Sequence, residues 1–183
     1  IDAALALLSK MGRDRLDLRE VRSIAIQTYG DALRFCDRPD PRSVIEAKFS
    51  LQHAVAVTLL DGPPPLSAFD PPMIADPVVA ALRARVKVTV GEPYAGAYPN
   101  HFGARLVLNL TSGDLLVHEQ TDALGDPENP LPLDRAIDKA RSLMQAAGMQ
   151  AGAIGTLVTQ CLELAEGRPL PTPWPGRLTG EAA

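Results

Sequence analysis

Four polar side chains sit together ahead of a wholly apolar run: Lys48, Ser50, Gln52 and His53 precede Ala54-Val55-Ala56-Val57-Thr58-Leu59-Leu60. A lysine is a point charge able to hold a carboxylate, and neutral histidine can donate or accept a hydrogen bond. With the hydroxyl of Ser50 and the amide of Gln52 beside them, these groups could wall a site for a small acid carrying two or three carboxylates. On one continuous helix Lys48 and Gln52 would stack at i, i+4, and Ser50 and His53 would lie about 60° apart. The same residues fit a plainer arrangement, with Lys48 solvated at the helix start and His53 satisfied inside a core. His101 is a fifth candidate. It lies with Tyr98 and Asn100 in a Gly- and Pro-rich stretch, residues 91–103, where it could help bind an anion or simply follow the surface. His118 ends a strand pattern with no partner in sequence and reads as structural.

The element that must position the first four is a helix. Ser43 followed by Glu46 is a capping box placed just after Pro41, and the helix is expected to continue to Leu60. Residues 54–60 cover nearly two turns with no polar face, so this helix belongs inside a core. Asp61-Gly62 then closes it, with Gly62 suited to a left-handed cap. Around it, helical spacing covers residues 2–11, and alternation suggests a strand at residues 24–28. Residues 34–41 read as loop, and Pro63-Pro64-Pro65 as a rigid connector behind which Phe69 plugs the core.

Asp76-Pro77 opens a short helix to about residue 84, with Val78, Leu82 and Val79 turned inward. Strands are expected at 86–90, 105–110 and 115–119, the last two joined as a hairpin by Ser112-Gly113-Asp114. Residues 124–133 are loop, followed by helices at 134–147 and 151–166. From Gly167 on, a Pro- and Gly-rich tail closes the chain. Three to five strands with hairpin connections imply an α+β, two-layer domain: an antiparallel or mixed sheet with helices packed on one face.

The whole chain narrows the function classes. With 183 residues, 46% hydrophobic and 22% charged, it has the composition of an ordinary globular domain. Its net charge of -4, with basic residues scattered, argues against a nucleic-acid partner. No apolar run of about 18 residues is present, so no membrane span is expected. Cys36 and Cys161 form no disulfide framework, which suits a reducing cytoplasm. Cys161, beside Leu157, Val158 and Leu162, reads as a small apolar packing residue. Asp126, Glu128 and Asn129 lack the spacing of a calcium loop and read as a rigid turn capping the next helix, so no metal site is assigned. Phosphate-cradle, nucleophile-elbow and zinc motifs do not occur in the sequence.

Two segments carry a family resemblance. Ala47-Lys48-Phe49-Ser50-Leu51-Gln52 running into Ala56-Val57-Thr58-Leu59-Leu60-Asp61-Gly62, and Gly125-Asp126-Pro127-Glu128-Asn129-Pro130-Leu131, resemble signatures of the MmgE/PrpD family. Asp40-Pro41 and Gly103-Ala104-Arg105 fall in the expected order. That family includes 2-methylcitrate dehydratase, cis-aconitate decarboxylase and iminodisuccinate epimerase. The similarity covers residues 1–166, as the family's C-terminal α+β domain, with residues 167–183 as tail.

The resemblance implies a cofactor-independent lyase acting on small di- or tricarboxylic acids by removing a proton next to a carboxylate. An epimerase or a non-catalytic binding or dimerisation domain are the alternatives. It further implies a helical N-terminal domain of the same chain as partner, a homodimeric parent, and a catalytic histidine falling just before Ile1. On that footing the chain by itself is expected to be inactive. Many family members carry an aromatic residue such as tyrosine where His53 stands, so a role for His53 does not follow from the resemblance.

Overall fold

The computed structural model describes residues 1–169. Contacts divide the chain into two units, Ile1–Asn129 and a second beginning at Pro130. The first opens with α1 (Asp2–Lys10) and a single 3-10 turn, Leu18–Glu20, leading into β1 (Val21–Thr28). Then come α2 (Gly30–Cys36), α3 (Val44–Lys48), α4 (Leu51–Asp61), a 3-10 turn at Leu66–Phe69, α5 (Pro71–Ile74) and α6 (Pro77–Arg83). They are followed by β2 (Val86–Val90), α7 (Tyr94–Ala97), β3 (Ala104–Leu110) and β4 (Leu115–Gln120).

The four strands form one mixed sheet in the order β2-β1-β3-β4. β1 pairs in parallel with β2 and antiparallel with β3, and β3 and β4 are antiparallel. The parallel pair needs a crossover, which α2 to α6 provide. Register decides which side chains meet: Ile24 lies between Val86 and Leu108, and Ile26 opposite Leu106. Because side chains alternate across a strand, all five point to one face. Onto that face pack Leu7 and Leu8 of α1, Val55, Val57 and Leu59 of α4, and Val79 and Leu82 of α6. The opposite face presents Ala25, Lys87 and Glu119 to solvent. Within this unit the fold is therefore α+β, with the core helices gathered on one side of an open sheet.

Four local expectations are corrected. The long helix is two: α3 ends at Lys48, Phe49 leaves the helical conformation, and Ser50 is extended at φ -113°, ψ 110°. A serine hydroxyl competes with the backbone for hydrogen bonds, and here it starts a new helix rather than continuing the old one. The capping box is only half formed, since Ser43 Oγ accepts the Glu46 N–H but the Glu46 carboxylate takes the N–H of Arg42. A helix, α2, occupies residues expected to start a loop. In α6, Val78 points outward at 44% exposure, while Val79 and Leu82 are buried as expected.

In the second unit, α8 (Leu133–Ala146) and α9 (Ala151–Ala165) pack against each other. Ile154 and Val158 carry the buried stripe of α9, whereas Cys161 is exposed rather than packed. The turn at 125–129 closes on itself through an Asp126–Asn129 bridge, and the N-terminus of α8 receives no side-chain cap. Most of the Pro- and Gly-rich tail lies outside the described residues.

Candidate functional site

The break before α4 gives the polar residues their roles. Ser50 Oγ accepts the His53 backbone N–H at 3.0 Å, the ordinary N-cap bond, and donates to the Arg38 carbonyl at 2.6 Å. Gln52 Oε1 accepts the Arg38 N–H at 3.2 Å, and its amide nitrogen donates to the Asp37 carboxylate. Both side chains are buried. They act as fasteners that hold the loop after α2 against the start of α4.

His53 has no exposed surface. Its Nε2 lies 2.7 Å from the Ala68 carbonyl, which can only accept, so Nε2 carries the hydrogen. The lone pair on Nδ1 is then left to accept a bond from Arg83 Nη1 at 3.2 Å. The Phe69 ring covers the imidazole at 5.6 Å. Burial, with the Arg83 charge adding to it, holds the His53 pKa below the usual value, against the opposing Ala68 bond. This is a neutral imidazole with both nitrogens occupied. It can position Arg83 but has no atom left for a ligand.

Arg83 is the cation of the cluster and is only 4% exposed. Nη1 also donates to the Ile74 carbonyl at 2.9 Å, and Nη2 sits 4.0 Å from the carboxylate of Asp40, a residue on the surface. Nε has no partner among the described residues. A guanidinium this deep, with donors to spare and one loose carboxylate beside it, can receive a negatively charged group. Lys48 lies apart on the exposed side of α3 and takes no part in this network. The structure thus brings Ser50, Gln52 and His53 together and leaves Lys48 at the surface.

Sequence reading missed Arg83 and the loop residues Asp37, Arg38 and Asp40. A signal existed: Val79, Leu82 and Arg83 share the buried stripe of α6, and a lone arginine at such spacing implies a buried partner. His101 stands elsewhere, its Nδ1 2.6 Å from Asp122 Oδ1. That bond, chiefly, raises the imidazole pKa above its usual value. Tyr98, the neighbour singled out with it, stacks on Tyr29 at 4.7 Å and donates its hydroxyl to Asp31. His118 Nε2 is 3.1 Å from Gln120 Oε1.

A cleft of about 780 Å³ is at the opposite end of α4, roughly 15 Å away. Arg13, Arg19 and Asp17 line it, but these charges are already engaged in the Arg13–Glu20 and Arg19–Asp17 ion pairs. None of the five candidate residues lines it. Among the described residues no three His, Cys, Asp or Glu side chains gather as a metal-holding group, and no helix is long and apolar enough to cross a membrane.

A comparison with curated proteins returned no match. A comparison with family sequence models did: residues 1–164 match the MmgE/PrpD C-terminal domain. That match takes in α1 through most of α9, both resembling segments and the whole sheet. The chain belongs to the MmgE/PrpD family, as its C-terminal domain.

Proposed function

We propose that this chain is the C-terminal domain of a cofactor-independent lyase resembling 2-methylcitrate dehydratase, which acts on small di- or tricarboxylic acids. Family membership carries the reading. The chemistry is removal of a proton next to a carboxylate, which demands positive groups to hold the acid and to offset the charge that develops. Supporting this, the start of α4 offers one buried guanidinium, Arg83, and the exposed cation of Lys48 lies on the preceding helix.

The domain's part is to wall the site. Ser50, Gln52 and His53 fix the loop and the guanidinium, and most of the acid and base groups come from a helical N-terminal domain of a homodimeric, cytoplasmic parent. The test is turnover of 2-methylcitrate, citrate, cis-aconitate and iminodisuccinate by the parent polypeptide, with and without chelator. Turnover of at least one acid that survives chelation is expected. Loss of all turnover on chelation would sink the cofactor-independent part, and inertness towards the whole panel would sink the lyase.

A further inference from the structure

His101 and Asp122 are set up with more care than a surface ion pair requires. An exposed pair contributes little to stability. Yet the Asp122 backbone is held by two side chains, since Gln120 Nε2 and Asn129 Nδ2 both donate to its carbonyl, at 2.7 and 3.1 Å. The residues that follow are fixed in turn. The Ala123 N–H goes to Asp126 Oδ2 at 2.8 Å, the Leu124 N–H to Asp2 Oδ2 at 2.8 Å, and the Gly125 N–H to the Asn129 carbonyl at 2.8 Å. Gly125 turns the chain at φ +112°, a conformation that favours glycine.

What this frame delivers is one carboxylate, its side chain 15% exposed, against Nδ1 of an imidazole whose side chain is 39% exposed. The imidazole is steadied from its own side too. Its backbone N–H bonds the Ala97 carbonyl at 3.1 Å, and Phe102 meets the rings of Tyr29 and Tyr98 edge-on at 5.7 Å. A carboxylate on Nδ1 fixes the tautomer and orientation, so Nε2 becomes the nitrogen that exchanges a proton. Nε2 meets no partner among the described residues.

We propose that His101 and Asp122 form a proton-donating dyad, with His101 Nε2–H protonating the leaving hydroxyl of a small hydroxy acid, and that residues 120–129 are its frame. The charges facing the imidazole, Asp122 and Glu128, are both negative. They make a poor anchor for an anion but stabilise an imidazolium, which suits a donor. This part rests on the lyase reading. The proton passes to the hydroxyl oxygen, the C–O bond breaks and its electron pair leaves with water. A second base takes the proton from the neighbouring carbon, and the C–H electron pair becomes the new C=C bond. His101 is left neutral, its Nδ1–H still on Asp122, and regains a proton from solvent.

The test is steady-state turnover of a hydroxy acid by the parent polypeptide across pH, beside an NMR titration of His101 in the 183-residue chain. His101→Gln should lower kcat by about 100-fold or more, with KM changed less than about threefold. Asp122→Asn should lower the His101 pKa and move the alkaline limb of activity to lower pH, whereas a purely structural ion pair would leave that limb in place. Wild-type kcat in His101→Gln, or a His101 pKa unmoved by Asp122→Asn, overturns the dyad. A parent that turns over no hydroxy acid while Asp122→Asn still lowers the His101 pKa overturns the lyase reading and leaves the pair standing as a titrating dyad.

Discussion

Arg83 and His53 set each other's state. The guanidinium donates into Nδ1, so a second proton there would meet a cation inside a site already closed to water. His53 is therefore expected to stay the neutral Nε2–H tautomer through neutral pH, as nitrogen chemical shifts can show. Its depressed folded pKa has a stability consequence with a definite sign. The unfolded chain takes up the His53 proton near pH 6.5 and the folded chain does not, so stability is complete above about pH 6.5 and falls as pH drops below it. Urea unfolding at about pH 7.5 and about pH 5.5 should show a larger loss on acidification in the wild type than in His53→Asn, which cannot titrate there. Equal losses would contradict the buried neutral histidine. His101 contributes the opposite sign, present below about pH 6.5 and lost as pH rises through its raised pKa, but its exposure keeps that contribution small.

The elements divide into those that periodicity determines and those that a single hydrogen bond determines. The strands were legible because large apolar residues recur at every second position, Ile24 and Ile26, or Val86 and Val88 about Lys87, and one residue of slip would turn the whole set outward. Helix α4 was legible as buried because it has no polar face. Its start was not, because Phe49-Ser50 interrupts the helix through the Ser50 hydroxyl and not through any breaker residue. Helix α2 was missed for a related reason: Arg34, Asp37 and Arg38 look like loop residues until the Leu33 carbonyl is seen to close the helix end.

These assignments predict distinct costs. Ser50→Ala removes both the cap and the tie to Arg38 and should cost roughly 1–2 kcal/mol, with Ser50→Thr losing less. Leu59→Ala opens a cavity in the core and should cost roughly 3 kcal/mol, whereas Val78→Ala should stay within about 0.5 kcal/mol. Chemical denaturation of the four variants measures all of these, and a large loss at Val78 would contradict the outward placement of that residue.

At the scale of the molecule, the family and the fold class were readable because signature segments such as Gly125 to Leu131 recur as blocks, independent of any contact. The site was only partly readable. Lys48 and Gln52 look adjacent on paper because a continuous helix stacks them, and the break at Ser50 sends one to the surface and the other into the loop network. Arg83, 30 residues from His53 in sequence, joins it only through the packing of α6 on α4. With His53 sealed and Arg83 compensated only in part, the start of α4 is a wall for a site, short of the groups that break bonds. The most direct measurement sets the purified 183-residue chain beside the parent polypeptide on the same panel of small carboxylic acids. This account predicts turnover by the parent and none by the chain alone; detectable turnover by the chain alone would contradict it.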